Sequence, residues 1–253
     1  MTLAMFETAT DRPPWYPVDR RVLVFTGDFG SGKTEVAVNF ALALAAWEPG
    51  VCLADLDIVN PYFRSREALA LLEEQGVRVV TPRGEHLTSE LPILLPEVKG
   101  LIQASGGRAI LDVGGEDLGA RVLSSFHGVW PPGEVEMLLV VNGNRPFTDT
   151  PEGVLRVLDQ IEAAARLPVT GLVANTHLME STTPDEIYRG SDLAATVSQR
   201  RQVPLRFVAV AQRLRPTIDE ARLAAPLFPL RRIMVPPWIP REKLGRDNFR
   251  LKA

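Results

Sequence analysis

The segment from Gly27 to Thr34 constrains the fold more than any other part of the chain. It reads Gly-Asp-Phe-Gly-Ser-Gly-Lys-Thr and matches the pattern G-x-x-x-x-G-K-[ST]. It follows the apolar run Val22 to Thr26 and opens a segment with helical periodicity, Lys33 to Trp47. A glycine-rich turn between a buried strand and a helix predicts a P-loop, in which backbone N–H groups and the helix dipole face an anion.

The rest of the chain alternates in the same way, which predicts an α/β fold. We expect a doubly wound, mostly parallel sheet with helices on both faces, the P-loop NTPase fold, because continuous apolar strands require burial on both sides. The predicted strands are Val22 to Thr26, Val51 to Asp55, Arg78 to Thr81, Arg108 to Val113, Glu136 to Val141, Val169 to Asn175 and Leu205 to Val210. The predicted helices are Lys33 to Trp47, Arg64 to Gln75, Glu152 to Ala165 and Pro184 to Arg200.

Such a loop binds the phosphates of a nucleotide together with Mg²⁺. The Lys33 ammonium neutralises the β- and γ-phosphates, and the Thr34 hydroxyl is a ligand for Mg²⁺. The residues that we expect to bind the nucleotide are Gly27, Asp28, Phe29, Gly30, Ser31, Gly32, Lys33, Thr34, Glu35, Gly115 and Asn175.

Acidic side chains end two of the other predicted strands. Asp55 and Asp57 lie one alternation apart, so both point to the same side of the sheet edge, where a cation relieves their repulsion. Asp112 follows Ala109-Ile110-Leu111 in the Walker B arrangement, and Gly115 can offer its N–H to the γ-phosphate. We therefore expect Thr34, Asp55 and Asp112 to support Mg²⁺, and Lys33, Asp57 and Asp112 to act in catalysis. The alternative for Asp55 and Asp57 is a solvated turn with helix-capping aspartates.

The nucleoside side has a weaker signal. Asn142 and Asn175 end two strands, and an amide offers the donor and acceptor that an adenine edge needs. The chain contains no Asn-Lys-x-Asp element, which would select guanine. We therefore expect ATP to be preferred over GTP. His177 follows the same strand as Asn175, and it suits hydrogen bonding near the base better than proton transfer. His86 and His127 are interpreted as structural or surface residues.

Taken together, these motifs resemble the MinD/ParA group of the CobQ/CobB/MinD/ParA nucleotide-binding family, over roughly residues 22–210. The segments 27–35 and 55–64 are similar to an uncharacterised bacterial branch described only as ATP-binding. The resemblance implies an ATP-dependent switch in which Asp57 orients the attacking water and Asp112 supports Mg²⁺. It also implies a protein partner or a nucleotide-sandwich homodimer.

One departure from that family concerns the P-loop itself. Related switches carry a second, signature lysine early in the loop, where this chain has Asp28 and Phe29. The resemblance therefore does not imply dimer-coupled hydrolysis in the form that is usual for the family. Arg64, Arg121 and Arg145 are the candidates for the missing positive charge.

Two other classes of function remain open. The first is an ATP-dependent small-molecule kinase or ligase resembling dethiobiotin synthetase, and the second is a binding module with negligible turnover. The segment from Pro82 to Pro96 is long enough to form a substrate or partner loop over the nucleotide. No C-x-x-C motif is present, so an iron–sulfur carrier is not expected.

Composition and chain ends set the remaining expectations. At 253 residues we expect a single domain over 1–253, with terminal tails at 1–19 and 236–253 that are docked or loose. The single cysteine, Cys52, and the lack of an apolar run of about 18 residues indicate a cytoplasmic protein. Basic residues concentrate after residue 200, but neither a nucleic-acid module nor a membrane-targeting helix is evident there.

Overall fold

The computed structural model describes residues 12–16, 20–57, 66–81, 96–115 and 117–233. Within these residues eight strands form one parallel sheet, in the order β3-β2-β4-β1-β5-β6-β7-β8. The strands are β1 (Val22–Thr26), β2 (Val51–Asp55), β3 (Arg78–Val80), β4 (Arg108–Asp112), β5 (Val135–Val141), β6 (Gly171–Ala174), β7 (Leu205–Ala211) and β8 (Leu227–Leu230). The predicted doubly wound α/β architecture is confirmed.

Helices connect most of these strands. They are α1 (Lys33–Ala45), α2 (Arg66–Glu74), α3 (96–103), α4 (Asp117–Ser124), α5 (Pro151–Ala165) and α6 (Pro184–Arg201). Short 3₁₀ turns follow at Met179–Ser181, Gln212–Thr217 and Glu220–Arg222. None of the helices in the described ranges is both long and apolar enough to cross a bilayer.

The sheet separates two apolar layers, and β1 shows why. Its residues alternate, so Val22 and Val24 pack in one layer while Leu23 and Phe25 pack in the other. The first layer also holds buried side chains of α3, α4 and α5, and the second holds those of α1. Burial on both faces is the reason that β1 reads as an uninterrupted apolar run.

Helix α1 is held on the sheet by Phe40. Its ring lies 5.3 Å from that of Phe25, 5.6 Å from Phe207 and 5.5 Å from Phe228, measured between centroids. Trp15 adds an edge contact to the same ring at 5.7 Å, so the described part of the N-terminal tail is docked. This cluster fixes the helix whose first turn follows the glycine-rich loop.

The sequence predictions differ from the structure at element ends and in α3, α4 and β8, which were not predicted. The strand predicted from Val169 to Asn175 is shorter, Gly171–Ala174, and the Thr170 hydroxyl just before it accepts a hydrogen bond from the Met137 N–H. Strand β8, which was not predicted, contains a proline, Pro229. It is tolerated because β8 lies at the edge of the sheet, where one row of N–H groups is not needed for pairing.

Candidate functional site

The loop between β1 and α1 presents the start of the helix to the carboxyl edge of the sheet. Gly32, which precedes the first helical residue, has φ of 81°, and it makes no side-chain cap. The N–H groups of a first helical turn have no intrahelical partner, and the dipole adds positive potential there. These N–H groups therefore lie at Lys33 and Thr34, where the motif predicts that an anion binds.

Two glycines are required here by close approach. A side chain at Gly32 would overlap the Asn175 amide and come within 3.0 Å of His177 Nε2. A side chain at Gly115 would overlap the Gly27 carbonyl and lie 3.0 Å from the Asp28 nitrogen. The loop after β4 thus contacts the start of the glycine-rich loop, where we expected Gly115 to act.

Lys33 lies among the three predicted carboxylates. Its Nζ is 2.8 Å from Asp57 Oδ2, and the two side chains are 7% and 4% exposed. Burial alone would lower the pKa of Lys33, but the charges of Asp112, Asp57 and Asp55 outweigh it and raise the pKa. The ammonium is therefore charged at neutral pH and close to the anion site.

Asp112 is the most buried of these acids, with no exposed surface. Burial raises its pKa to about 6, while the charge of Lys33 and the nearby Thr34 hydroxyl oppose the rise. Neither of its carboxylate oxygens accepts a hydrogen bond of good geometry. A buried carboxylate without a bonded partner is a costly group unless a cation or an ordered water approaches it.

The donor set around Asp112 fits Mg²⁺. Within the described residues, no three His, Cys, Asp or Glu side chains cluster closely enough to hold a metal by themselves. Mg²⁺ needs no such cage, since it usually binds one or two carboxylates, several waters and substrate phosphates. Thr34 and Asp112 next to a phosphate site supply that arrangement.

Asp55 and Asp57 form a turn rather than a solvated surface. They are 5% and 8% exposed, and the Asp57 N–H donates to Asp55 Oδ1 at 3.0 Å. Asp55 is in register with Asp112 on the neighbouring strand. Asp57 reaches the loop after β4, because a side chain at Gly114 would lie 3.2 Å from Asp57 Oδ1. Both acids thus belong to the same edge as Lys33.

The opposite side of the loop is braced by Asn142, Arg145 and Asn175. Asn142 Nδ2 donates to the Gly30 carbonyl at 3.1 Å, and Arg145 Nε donates to the same oxygen at 3.0 Å. Asn175 Nδ2 donates to the Ser31 carbonyl at 2.8 Å. Asn175 is therefore placed at the site, and its amide group holds the loop. The sequence predicts only contact with a base for Asn175, so the bond to the Ser31 carbonyl is a further role.

His177 is held neutral in this environment. Burial lowers its pKa to about 4, and the positive charges of Arg145 and Arg232 act in the same direction. A neutral imidazole against the loop is consistent with the expected role as a hydrogen-bonding residue. At neutral pH the imidazole is therefore not in its cationic form.

A cavity of about 460 Å³ opens beside the first turn of α1. Its lining includes Glu35, Asn175, His177, Gln212 and Arg232. It lies against β6, β7 and β8, whereas the carboxylates come from β2 and β4 on the other side of β1. The carboxylates therefore lie on one side of α1, and the cavity lies on the other.

Comparison with solved structures identifies the fold. FtsY from Thermotoga maritima matches with a TM-score of 0.52 and 18% identity, covering 81% of this chain and 66% of that one. FtsY of the signal recognition particle receptor from Elizabethkingia anophelis matches with a TM-score of 0.50 and 21% identity, covering 75% and 57%. The fold is that of a P-loop NTPase.

The same comparisons do not assign a family. This chain spans about 57% to 66% of the length of the FtsY chains that it matches. No protein-family model matches it, and a search of curated proteins finds no match. The likeness is therefore one of fold.

The remaining predicted site residues are placed differently. Phe29 is 57% exposed in the P-loop. Of the two candidate arginines within the described residues, Arg145 bonds to this loop. Arg121 instead lines a surface cleft with Gln160 and Arg166 near the end of α5. Arg64, His86, nearly all of the segment 82–96, the tail 236–253 and residues 1–11 and 17–19 of the other tail lie outside the described residues.

Sequence reasoning missed the bracing role of Asn142 and the pocket residues Arg213 and Arg232. Asn142 ends a predicted strand, so its position was visible, but its contact with Gly30 joins residues 112 positions apart. Arg213 and Arg232 belong to no recognisable motif. Only the neighbouring ends of β7 and β8 bring them to the cavity.

Proposed function

We propose that this protein binds ATP with Mg²⁺ and hydrolyses it. The observation that carries the proposal is the Lys33 ammonium, buried among Asp55, Asp57 and Asp112 at the start of α1. Three carboxylates around one lysine leave an excess of negative charge, which is costly to bury unless a further cation compensates it. A P-loop with adjacent acids is the arrangement that serves phosphoryl transfer.

Each side chain has a distinct task in this proposal. Lys33 leaves Asp57 to bind the β- and γ-phosphates, and the N–H groups of the first turn of α1 bind phosphate oxygens. Thr34 and Asp112 hold Mg²⁺, and Asp55 supports these two ligands. When bound, Mg²⁺ neutralises charge on the phosphates. Asp57 is then free to hold the attacking water, and the Gly115 N–H faces the γ-phosphate.

The nucleoside lies in the cavity beside α1, and we propose that ATP is preferred over GTP. A guanine base presents two adjacent donors that an acidic side chain in an Asn-Lys-x-Asp element would accept. The corresponding segment here is Asn175-Thr176-His177-Leu178, which carries no acid. Competition between ATP and GTP tests this preference, and GTP binding at least as tightly as ATP contradicts it.

A protein partner at the nucleotide face is supported by exposed apolar side chains. Among the described residues, the large exposed hydrophobic side chains all follow the carboxyl ends of β1, β5 and β6: Phe29, Phe147, Leu178 and Met179. Apolar side chains in such positions favour contact with another protein. We therefore favour a MinD/ParA-like cytoplasmic switch, in which Arg145 rather than a signature lysine supplies positive charge to the loop.

The test replaces Lys33 with alanine. The variant should lose tight binding of Mg·ATP, measured by calorimetry, and phosphate release should fall to background. Lys99→Ala is the matched control, because Lys99 lies on α3 away from the loop. Unchanged affinity and turnover in Lys33→Ala would contradict the proposal.

Phosphate release from the unmodified protein separates the classes of function. Steady release without any added substrate supports the ATPase switch. Formation of ADP that strictly requires a metabolite supports the small-molecule kinase or ligase, since a kinase passes the phosphoryl group to its substrate and releases ADP. Tight binding without release supports a binding module.

A further inference from the structure

The chain segment that leaves β8 is bonded to side chains of the P-loop helix. Asn39 Oδ1 accepts the Arg231 N–H, and Asn39 Nδ2 donates to the Arg231 carbonyl, both at 2.8 Å. Asn39 is 5% exposed, so these bonds are shielded from water. Its amide thus pairs with both backbone groups of Arg231, as a neighbouring strand would.

Glu35 makes the next bond along the same segment. Its Oε1 accepts the Ile233 N–H at 2.6 Å and lies 3.4 Å from Asn39 Nδ2. Residues four apart on a helix stack on one face, and alternate residues of an extended chain point the same way at a similar spacing. Asn39 therefore pairs with Arg231 and Glu35 with Ile233, and we name this set of bonds the α1 clamp.

The clamped segment forms one wall of the cavity beside α1. Arg231 and Arg232 both line that cavity. Arg232 Nη1 lies 2.5 Å from Glu180 Oε1, which belongs to the loop after β6 on the opposite side. Arg213 Nη2 donates to the carbonyl of Glu180 at 3.0 Å. The position of the 231–233 backbone therefore sets the width of the cavity between α1 and the Glu180 loop.

We infer that Glu35 and Asn39 are positioning residues for nucleoside recognition. The inference rests on the proposed nucleotide function. It adds that the α1 clamp acts on the nucleoside part of the ligand. Through the α1 clamp these residues hold the wall that the base and ribose contact, while the phosphates bind the loop and Lys33. Loss of the clamp should therefore weaken ATP more than it weakens inorganic triphosphate, which has no nucleoside.

The experiment measures two dissociation constants by calorimetry with Mg²⁺ present, one for ATP and one for inorganic triphosphate. Glu35→Ala removes the acceptor, whereas Glu35→Gln keeps an oxygen for the Ile233 N–H. Ile233→Pro removes the donor from the other side of the same bond, and Ile233→Ala controls for the lost side chain. Circular dichroism establishes that each variant is folded, and either member of the bond suffices if the other variant fails to fold.

In the unmodified protein ATP should bind more tightly than triphosphate. That preference should fall about tenfold in Glu35→Ala and in Ile233→Pro, which corresponds to the loss of one charge-assisted hydrogen bond. Glu35→Gln and Ile233→Ala should keep it within about threefold. The double variant should lose no more than either single one, because both act on one bond.

The experiment distinguishes failure of the proposed function from failure of the positioning role. If neither ligand binds the unmodified protein, the proposed function is wrong, and the inference falls with it. If both ligands bind and the preference is unchanged in Glu35→Ala and Ile233→Pro, the positioning role is wrong while the P-loop assignment stands. Additive losses in the double variant also overturn the inference, since they show that the two residues act independently.

Discussion

Replacing Asp57 with asparagine should make the protein less stable without nucleotide but a tighter binder of ATP. Lys33 and Asp57 form a nearly buried ion pair at 2.8 Å. Breaking such a pair costs about 3 to 5 kcal/mol when the remaining charge is left alone. Lys33 keeps the charges of Asp112 and Asp55 nearby. We therefore expect a smaller loss of unfolding free energy, about 2 kcal/mol.

The effect on ATP has the opposite sign. In the unmodified protein Lys33 must exchange Asp57 for phosphate oxygens, and the freed carboxylate then faces the γ-phosphate. Removing that carboxylate removes a repulsion of about 2 kcal/mol, the value for two unit charges about 8 Å apart at an effective dielectric constant of about 20, and a bound Mg²⁺ offsets part of it. ATP should therefore bind about tenfold more tightly. Hydrolysis should fall by about 100-fold or more, because no carboxylate positions the water.

Urea unfolding with and without Mg·ATP, calorimetry and single-turnover phosphate release measure these three quantities. Asp192→Asn, an exposed aspartate on α6, is the matched control. Asp112→Ala is the contrasting variant, and it should weaken both binding and hydrolysis because it removes support for Mg²⁺. The reasoning is refuted if Asp57→Asn turns over like the unmodified protein. It is also refuted if this variant loses ATP binding as severely as Asp112→Ala does.

Three further predictions concern the side of the loop opposite Lys33. The pKa of His177 is about 4 when folded and about 6.5 when unfolded, so only the unfolded state gains a proton between these values. Stability should therefore fall by up to about 2 kcal/mol from pH 6.5 to pH 5, and urea unfolding of His177→Gln should show a smaller fall. Arg145→Ala should weaken ATP about tenfold in calorimetry by releasing the Gly30 carbonyl, and a tight-binding variant contradicts the bracing role. Asn175→Ala should weaken inorganic triphosphate as well as ATP, since its amide holds the Ser31 carbonyl; a loss confined to ATP indicates that it contacts only the base.

The sequence was sufficient where function depends on neighbouring residues. The P-loop needs its glycines, Lys33 and Thr34 in consecutive positions between a strand and a helix, and the structure places them so. The acids at the ends of β2 and β4 were predictable for a similar reason. Parallel strands bring their carboxyl ends to one edge, so a residue's place at the end of a strand already gives its place in the site.

Contacts between distant residues required the tertiary structure. The bond from Ile233 to Glu35 joins positions 198 apart, and the bond from Asn175 to Ser31 joins positions 144 apart. Neither pair leaves a periodic or local pattern in the sequence. Strand β8, which was not predicted, brings Arg231 to the P-loop helix only because it pairs with β7 at the sheet edge. Local patterns thus determined the side of the site that we propose for the phosphates and the cation, whereas the order of the strands decided what surrounds the side that we propose for the nucleoside.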